Sequence, residues 1–250
     1  MAFGVRLALV VVAALAAASG QTASAGEEGR FSQRAWSANR DVYQAILRHP
    51  FLTGLTDGSL EREAFVFYLV QDAHYLRDFA AALEAAADKA PKPEWSELLR
   101  THARETLAEE VRMHDAIFES YGVSRREQAS AEMAPEAFGY AKFILATAHA
   151  GSFGEAIASL LPCYWIYLEV GKQLVSQGSP VTEYQEWIDA YASEEYAGAV
   201  RAVIDIADEV AAQAGVEERE RMERHFARSA RYEWMFWDSS YHRRSWPPER

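Results

Sequence analysis

The chain has 250 residues, half of them hydrophobic, which is enough to bury one sizeable core and excludes a chain that is disordered as a whole. Asp and Glu outnumber Lys and Arg by 37 to 25, and the resulting net charge of −12 makes nucleic acid an unsuitable partner. A single cysteine excludes an intramolecular disulfide.

The first 25 residues have the pattern of a secretory signal. Arg6 is their only charge, Leu7 to Ala18 form a continuous apolar run, and small residues lead up to Ala25. The run is short for a membrane span. We therefore expect cleavage after Ala25, an exported product that is periplasmic or secreted, and one domain over residues 26–250. An uncleaved membrane anchor is the alternative; after cleavage we expect no membrane association.

The rest of the chain has the apolar spacing of helices, interrupted by Gly, Pro and Ser. Eight helices are predicted, over Phe31–Arg48, Leu60–Lys89, Glu94–Tyr121, Pro135–Gly151, Phe153–Ser176, 181–191, Glu194–Ala214 and Glu217–Tyr241. Ser59 is the expected N-cap of the second helix, residues 53–59 are expected to form a turn, and His49 to act as a cap or loop anchor. No alternating run indicates a sheet, so the predicted fold is a single all-α domain.

Asp72 lies within the apolar stripe of the second predicted helix. Leu69 and Leu76 flank it at helical spacing, and Tyr68 and Tyr75 lie on the same side. A buried carboxylate needs hydrogen-bond donors or a ligand, because burying it without partners is costly. Two interpretations stay open, a structural Asp bonded to tyrosine hydroxyls and a functional one.

Glu233 interrupts the apolar stripe of the last helix in the same way, among Met222, Phe226, Ala230 and Trp237. An inward Glu beside aromatic rings has a raised pKa, which suits a proton donor or shuttle near neutral pH. The alternative is a buried salt bridge to a nearby arginine.

Cys163 shares a helical face with Leu160 and Tyr167, so its thiol is predicted to point inward. Pro162, inside the same helix, removes a backbone donor at a cost of about 3 kcal/mol unless the local geometry accommodates it. A lone buried cysteine usually acts as a small hydrophobic residue. A costly proline and neighbouring tyrosines favour a functional role here.

Metal centres are not predicted. A four-helix di-iron site requires two Glu-x-x-His motifs, whereas Glu110 and His114 are four apart and Glu223 and His225 are two apart. A zinc site built on cysteines cannot be formed from one cysteine.

Several motifs together resemble the TenA/thiaminase II family, over about residues 31–241. In chain order they are His49-Pro50-Phe51, Gln71-Asp72-x-x-Tyr75-Leu76, Leu160-Leu161-Pro162-Cys163-Tyr164-Trp165, Tyr184-x-x-Trp187-Ile188-x-x-Tyr191 and Tyr232-Glu233-x-x-Phe236-Trp237. The resemblance implies a heme-oxygenase-like helical bundle without heme, usually a homotetramer. It also implies hydrolysis at the aminopyrimidine half of thiamin or of its degradation products.

The implied salvage reaction converts 4-amino-5-aminomethyl-2-methylpyrimidine into the hydroxymethyl pyrimidine and ammonia, and hydrolysis of thiamin itself is the related activity. By the same resemblance, Cys163 is the nucleophile, Asp72 binds and polarises the ring, and Glu233 transfers protons. No metal or organic cofactor is required. Five aromatic side chains would shape the pocket, namely Tyr75, Tyr140, Tyr167, Tyr191 and Phe236.

Three alternatives compete with an exported aminopyrimidine hydrolase. A non-catalytic exported protein that binds pyrimidine or thiamin would use Asp72 and the tyrosines equally well. A metal-dependent oxygenase on the same fold is disfavoured by the ligand spacing. A purely structural bundle leaves the placements of Asp72, Cys163 and Glu233 unexplained.

Overall fold

The computed structural model describes residues 29–110, 118–124, 126 and 130–248. The predicted signal segment, Met1 to Ala25, lies outside these ranges. Within them the chain is helical and contains no strand, which confirms the all-α class. None of the helices in these ranges combines the length and apolar character needed to cross a bilayer.

Ten α-helices have both ends within the described ranges. They are α1 Phe31–Ala38, α2 Arg40–Leu47, α3 Pro50–Asp57, α4 Arg62–Ala87, α5 Pro93–Glu105, α6 Pro135–Ala150, α7 Phe153–Leu174, α8 Thr182–Tyr191, α9 Glu194–Gln213 and α10 Val216–His242. The five helices from α6 onward agree with the predicted bounds to within two residues.

The first predicted helix is two helices, so the prediction of a continuous Phe31–Arg48 helix is wrong at Asn39. Asn39 leaves the helical conformation, with φ −112° and ψ 13°. Its side-chain amide donates to the carbonyl of Ala35 at 2.8 Å, which ends α1 with a side chain in place of a backbone donor.

The chain around Pro50 is helical where a turn was expected from residue 53 onward. His49 is the N-cap of α3, and its Nδ1 accepts the backbone N–H of Phe51 at 3.1 Å, which confirms the predicted cap. Pro50 occupies the first turn, where its missing N–H costs nothing. Gly58, with φ 79°, ends the helix in the left-handed conformation that favours glycine.

Ser59 does not cap α4, contrary to the prediction. Its backbone N–H instead donates to Oδ1 of Asp57 at 2.8 Å, which keeps Ser59 in the turn before the helix. Glu61 is the N-cap residue of α4. The prediction of one α-helix over Glu94–Tyr121 is also wrong, because α5 changes to a π-helical turn over Thr106–Glu110.

Helix α7 is the centre of the bundle and contacts α4, α6, α8, α9 and α10. It begins with a capping box in which Ser152 and Glu155 satisfy each other's backbone N–H groups. The helix continues through buried Pro162. The Ser229 hydroxyl of α10 donates to the Ser159 carbonyl at 2.7 Å, within the turn that the proline disturbs.

Helices α7 and α8 touch through their backbones at Gly171. A Cβ atom at this position would lie 2.6 Å from the carbonyl carbon of Tyr191. Only glycine therefore allows the end of α8, which carries Tyr191, to lie this close to α7.

Candidate active site

Three helices contribute the chemically reactive side chains: Asp72 from α4, Cys163 from α7 and Glu233 from α10. Asp72 is 3% exposed and Glu233 is 1% exposed, which confirms the burial predicted from the apolar stripes. Because carboxyl groups are rarely buried this completely, both need a local reason for their placement.

Cys163 is only partly buried, which corrects the prediction of a buried thiol. Leu160 and Tyr167, one turn away on either side, are buried. Cys163 therefore differs in burial from its two neighbours on the same helical face.

Glu233 retains its proton at neutral pH. Burial raises the pKa of its carboxyl to about 8, and the charge of Asp72 adds to this effect. The Tyr140 hydroxyl donates to Glu233 Oε1 at 2.6 Å and opposes the rise. Within the described ranges no arginine pairs with Glu233, so the salt-bridge alternative is wrong there, and the expected raised pKa is confirmed.

Tyr75 and Tyr140 form a buried pair of rings with centroids 4.8 Å apart. Burial raises the pKa of both hydroxyls well above the ordinary value, and the charges of Cys163 and Glu233 raise both further. Cys163 and Glu233 thus both lie near the hydroxyl groups of this tyrosine pair.

Tyr167 connects Asp72 to this group. Burial raises the pKa of the Tyr167 hydroxyl most, followed by Tyr68, Glu233 and Asp72. The Tyr167 ring packs against Tyr191 with centroids 4.8 Å apart. The carboxyl groups of Asp72 and Glu233 therefore both influence the Tyr167 hydroxyl. Tyr191 of α8 packs beside the same tyrosine.

Phe236 lies one turn after Glu233 on α10, with its ring centroid 5.8 Å from that of Tyr75 and 5.8 Å from that of Tyr68. All eight predicted site residues consequently belong to one connected group of side chains, with aromatic rings around a thiol and two acids.

Two polar aromatic residues of this group were not predicted to act in the site. Trp187 Nε1 donates to the Tyr68 hydroxyl at 3.3 Å, and the hydroxyl oxygens of Tyr68 and Tyr167 lie 3.3 Å apart. A buried Tyr or Trp needs a partner for its polar atom. The apolar spacing of the sequence predicts that both residues are buried and therefore need a partner. It does not predict which residue that partner is.

Tyr164, next to the reactive cysteine, has a buried partner of its own. Its hydroxyl lies 3.1 Å from Nδ1 of His102, and its ring packs on Phe79 with centroids 5.4 Å apart. Burial lowers the pKa of His102, so this imidazole is neutral at pH 7. This pair was not predicted from the sequence.

Among the described residues, no three His, Cys, Asp or Glu side chains are grouped so that they could hold a metal ion. The arrangement instead provides a thiol suited to nucleophilic addition and a carboxyl group whose raised pKa suits proton transfer. Its aromatic walls suit a flat ring.

Residues 36–243 match the TENA/THI-4/PQQC family. The aminopyrimidine aminohydrolase of Bacillus subtilis (strain 168) is 32% identical over 219 residues, which cover 87% of this chain and 92% of that protein.

Solved structures show the same similarity. The TenA homologue protein from P. horikoshii OT3 superposes with a TM-score of 0.79 at 28% identity, covering 86% of this chain and 99% of that one. A domain of unknown function with a heme oxygenase-like fold from Shewanella denitrificans OS217 has a TM-score of 0.67 at 14% identity, covering 85% and 92%. The predicted heme-oxygenase-like fold is confirmed.

Proposed function

The chain belongs to the TENA/THI-4/PQQC family, and from this membership we propose that it is an aminopyrimidine aminohydrolase. Its substrate is 4-amino-5-aminomethyl-2-methylpyrimidine, which it converts into the hydroxymethyl pyrimidine and ammonia. The relative from Bacillus subtilis, whose name states such an activity, supports this assignment. The observation that carries it is the buried Glu233 carboxyl, which accepts a hydrogen bond of 2.6 Å from the Tyr140 hydroxyl and whose pKa burial raises to about 8.

The reaction begins with the thiolate of Cys163, which forms a bond from Sγ to a carbon of the pyrimidine ring. Addition disrupts the aromatic system, so a partner that polarises the ring lowers the barrier. Asp72 supplies this partner, because a buried carboxylate facing the ring nitrogen and amino edge stabilises the positively charged, amidine-like form of the ring.

Electrons of the dearomatised ring then expel the exocyclic amine. Glu233 gives its proton to the departing nitrogen, which leaves as ammonia, and an exocyclic methylene group remains on the ring. A pKa of about 8 keeps most Glu233 carboxyl groups protonated at pH 7, so the acid is ready before the substrate arrives.

Water completes the reaction by adding to the methylene carbon. Glu233, now a carboxylate, takes a proton from that water, and the electrons returning through the ring expel the thiolate of Cys163. Overall, one water molecule replaces one amine, the C–N bond becomes a C–O bond, and each side chain regains its starting state.

The tyrosines and Phe236 provide walls for a flat heterocycle. Rings such as Tyr75 and Tyr140 can stack on a pyrimidine, while their hydroxyls meet its polar edges. Burial keeps these hydroxyls protonated, so they act as hydrogen-bond donors and do not compete with Glu233 as bases.

The test is incubation of purified protein with the aminomethyl pyrimidine and, separately, with thiamin. We expect ammonia from the first substrate, measured enzymatically, and the Cys163→Ser variant as the matched control should release almost none. Release of thiazole from thiamin would show the related activity. Saturable binding of the pyrimidine without ammonia would support the non-catalytic binding protein in place of the enzyme.

We further propose that the chain assembles as a homotetramer, as the family resemblance implies. Light scattering coupled to size-exclusion chromatography should then give four times the chain mass. A monomeric mass across a hundredfold range of concentration would contradict this assembly.

Export remains a proposal that rests on the sequence of the first 25 residues. Expression with the full chain should yield a product whose N-terminus is Gly26. An intact Met1 in the product isolated from outside the inner membrane would contradict cleavage, and a product confined to the cytoplasm would contradict export.

A further inference from the structure

The first turn of α6 is held in place by side chains from outside that helix. Its N-cap residue, Ala134, forms no side-chain cap, and Pro135 follows it. A helix start that its own residues do not fix needs external partners to define where it lies. Because α6 carries Tyr140, which donates to Glu233, the position of this start affects the active site.

Three consecutive residues before α6 form backbone hydrogen bonds with two side chains. The buried Gln71 amide of α4 donates to the Glu132 carbonyl at 3.1 Å and accepts the Ala134 N–H at 2.7 Å. Between these two residues, the Met133 carbonyl accepts the Trp246 Nε1 proton at 2.8 Å. A carbonyl can only accept and an indole N–H can only donate, so the direction of these bonds is fixed by chemistry.

Trp246 belongs to residues 243–248, which follow α10 and which we call the return segment. At its start, Arg243 has φ 50° and ψ 50°, and it is the only non-glycine residue with a positive φ among the described residues. This left-handed conformation is unfavourable for a residue with a Cβ atom and persists where surrounding contacts maintain it. It turns the chain from the end of α10 toward the start of α6.

Arg244 of the return segment links the two helices directly. Its guanidinium lies 3.4 Å from Oε1 of Glu136, in the first turn of α6, and 2.5 Å from Oδ2 of Asp238 on α10. Together with the bond from Trp246 to Met133, this pairing fixes the start of α6 against the end of α10.

Helices α6 and α10 pack antiparallel, and the return segment lies at one end of their interface. Near this end, the Ser239 hydroxyl donates to Glu136 at 3.0 Å, and further along, Tyr140 donates to Glu233 at 2.6 Å. Glu136 and Tyr140 are one turn apart on the same face of α6. A displacement of the first turn therefore also moves the Tyr140 hydroxyl relative to Glu233.

We propose that the return segment is a positioning element of the active site, in which Trp246 and Arg244 hold the start of α6 and thereby keep the Tyr140 hydroxyl against the Glu233 carboxyl. Both residues are exposed, so they lie outside the buried walls of the site and act on the reaction only through α6. The inference rests on the proposed function for its reaction, whereas the contacts of the return segment do not depend on it.

Tyr140 is the group through which the return segment acts on Glu233. The titratable groups that interact with the Glu233 carboxyl are Asp72 and Tyr75 on α4, Tyr140 on α6 and Tyr167 on α7. Of these, Tyr140 lies on the helix that Trp246 and Arg244 hold, and its hydrogen bond lowers the pKa of Glu233. Loosening α6 should weaken this bond and let the pKa rise.

The experiment measures the pH profile of kcat/KM for the full chain carrying both Trp246→Phe and Arg244→Gln. Phe at position 246 keeps a ring for the contact with Phe138 but has no N–H to donate. We expect the double variant to lower kcat about fivefold and to move the alkaline limb up by about half a pH unit. In a Tyr140→Phe background, the two substitutions should not move the limb further.

Trp95→Phe is the matched control. Trp95 is a half-buried tryptophan on α5 whose ring stacks on Phe153 with centroids 5.8 Å apart, and it lies outside the return segment. This exchange should leave kcat within about twofold of the wild type and the alkaline limb in place.

Two results would overturn the inference. One is an unchanged alkaline limb in the double variant, because a merely structural role would lower stability to urea without moving the limb. The other is an equal upward shift of the limb in the Tyr140→Phe background, which would show that the return segment does not act through Tyr140.

Failure of the proposed function is distinguishable, because the wild type would then release no ammonia from the aminomethyl pyrimidine. In that case, urea unfolding at several pH values follows the ionisation of Glu233, with each protein compared with its own Glu233→Gln variant. A higher pH for the loss of this stability difference in the double variant would support the positioning role, and an unchanged pH would overturn it.

Discussion

The Tyr140 hydroxyl donates a hydrogen bond of 2.6 Å to Oε1 of Glu233, and both side chains are buried. This bond favours the ionised carboxylate and lowers the pKa of Glu233, whereas burial and the charge of Asp72 raise it. Burial is the larger effect, because the resulting pKa of about 8 lies far above the ordinary 4.5. Neighbouring groups can therefore shift the pKa of Glu233 in either direction.

Replacing Tyr140 with Phe should raise the pKa of Glu233 further, because it removes the one neighbour that lowers it. We expect the alkaline limb of the kcat/KM profile to move to higher pH, by about one unit. The control is Tyr232→Phe, whose ring stacks on Tyr140 at 5.3 Å and 7°. A limb that moved to lower pH in Tyr140→Phe would contradict this account.

Replacing Asp72 with Asn should move the alkaline limb of the kcat/KM profile to lower pH. The negative charge of Asp72 raises the pKa of Glu233, so its removal lets Glu233 ionise at lower pH. The pH profile of the residual activity should show this shift, together with a raised KM for the pyrimidine. Asp78→Asn, on the same helix but paired with Lys142, serves as control and should leave the profile unchanged.

Replacing Glu233 with Gln should abolish most turnover and remove the alkaline limb altogether. In the wild type, kcat/KM should fall as the pH rises through about 8, because the acid then loses its proton. We expect a loss of at least about a hundredfold, within the range for removal of a general acid. Glu220→Gln, at an exposed position on the same helix, should behave as the wild type. Persistence of the limb in Glu233→Gln would assign it to another group.

The same carboxyl group should make stability dependent on pH. Its folded pKa is raised, so the stability that it contributes is complete below the unfolded value of 4.5 and is lost as the pH rises through about 8. Between these values, urea unfolding should show the wild type losing stability relative to Glu233→Gln, by at most about 1.4 kcal/mol per pH unit. Parallel curves for the two proteins would show that Glu233 does not titrate in this window.

Replacing Cys163 with Ser should reduce turnover by about a thousandfold, because a hydroxyl is a far weaker nucleophile than a thiolate at neutral pH. The helical circular dichroism signal should not change, since the side chain is only partly buried. Iodoacetamide should inactivate the wild type by adding one carboxamidomethyl group, counted by mass because the chain has a single cysteine. Substrate should slow this reaction, and wild-type turnover in Cys163→Ser would reject covalent catalysis.

The apolar stripes of the sequence identified the two buried acids correctly. Asp72 and Glu233 interrupt stripes of 3.6-residue periodicity, and such a pattern reports directly which side of a helix is buried. The raised pKa of Glu233 followed from the same pattern, because desolvation depends on burial more than on any particular neighbour.

Contacts between distant helices were not predictable in the same way. The bond between Tyr140 and Glu233 joins α6 to α10, and the bond from Trp187 to Tyr68 joins α8 to α4. Periodicity describes one helix at a time and contains no information on which helices become neighbours. The partial exposure of Cys163 has the same origin, since it depends on how neighbouring helices meet.

The predicted helix boundaries were wrong where side chains compete with the backbone for hydrogen bonds. Asn39 ended α1 by donating to Ala35, and Asp57 accepted the N–H of Ser59 before that residue could serve as a cap. Each outcome depends on a difference of about 1 kcal/mol between alternative partners, which local sequence preferences do not resolve.

The missing side chain at Gly171 sets how closely α7 approaches the end of α8, which carries Tyr191 of the proposed site. Even a single methyl group there would push Tyr191 and the rest of α8 outward, because the space to the Tyr191 carbonyl carbon is only 2.6 Å. We expect a methyl group at position 171 to move Tyr191 away from Tyr167 while leaving every reactive group unaltered. Variation at this remote position offers a way to admit bulkier heterocycles without touching the chemistry.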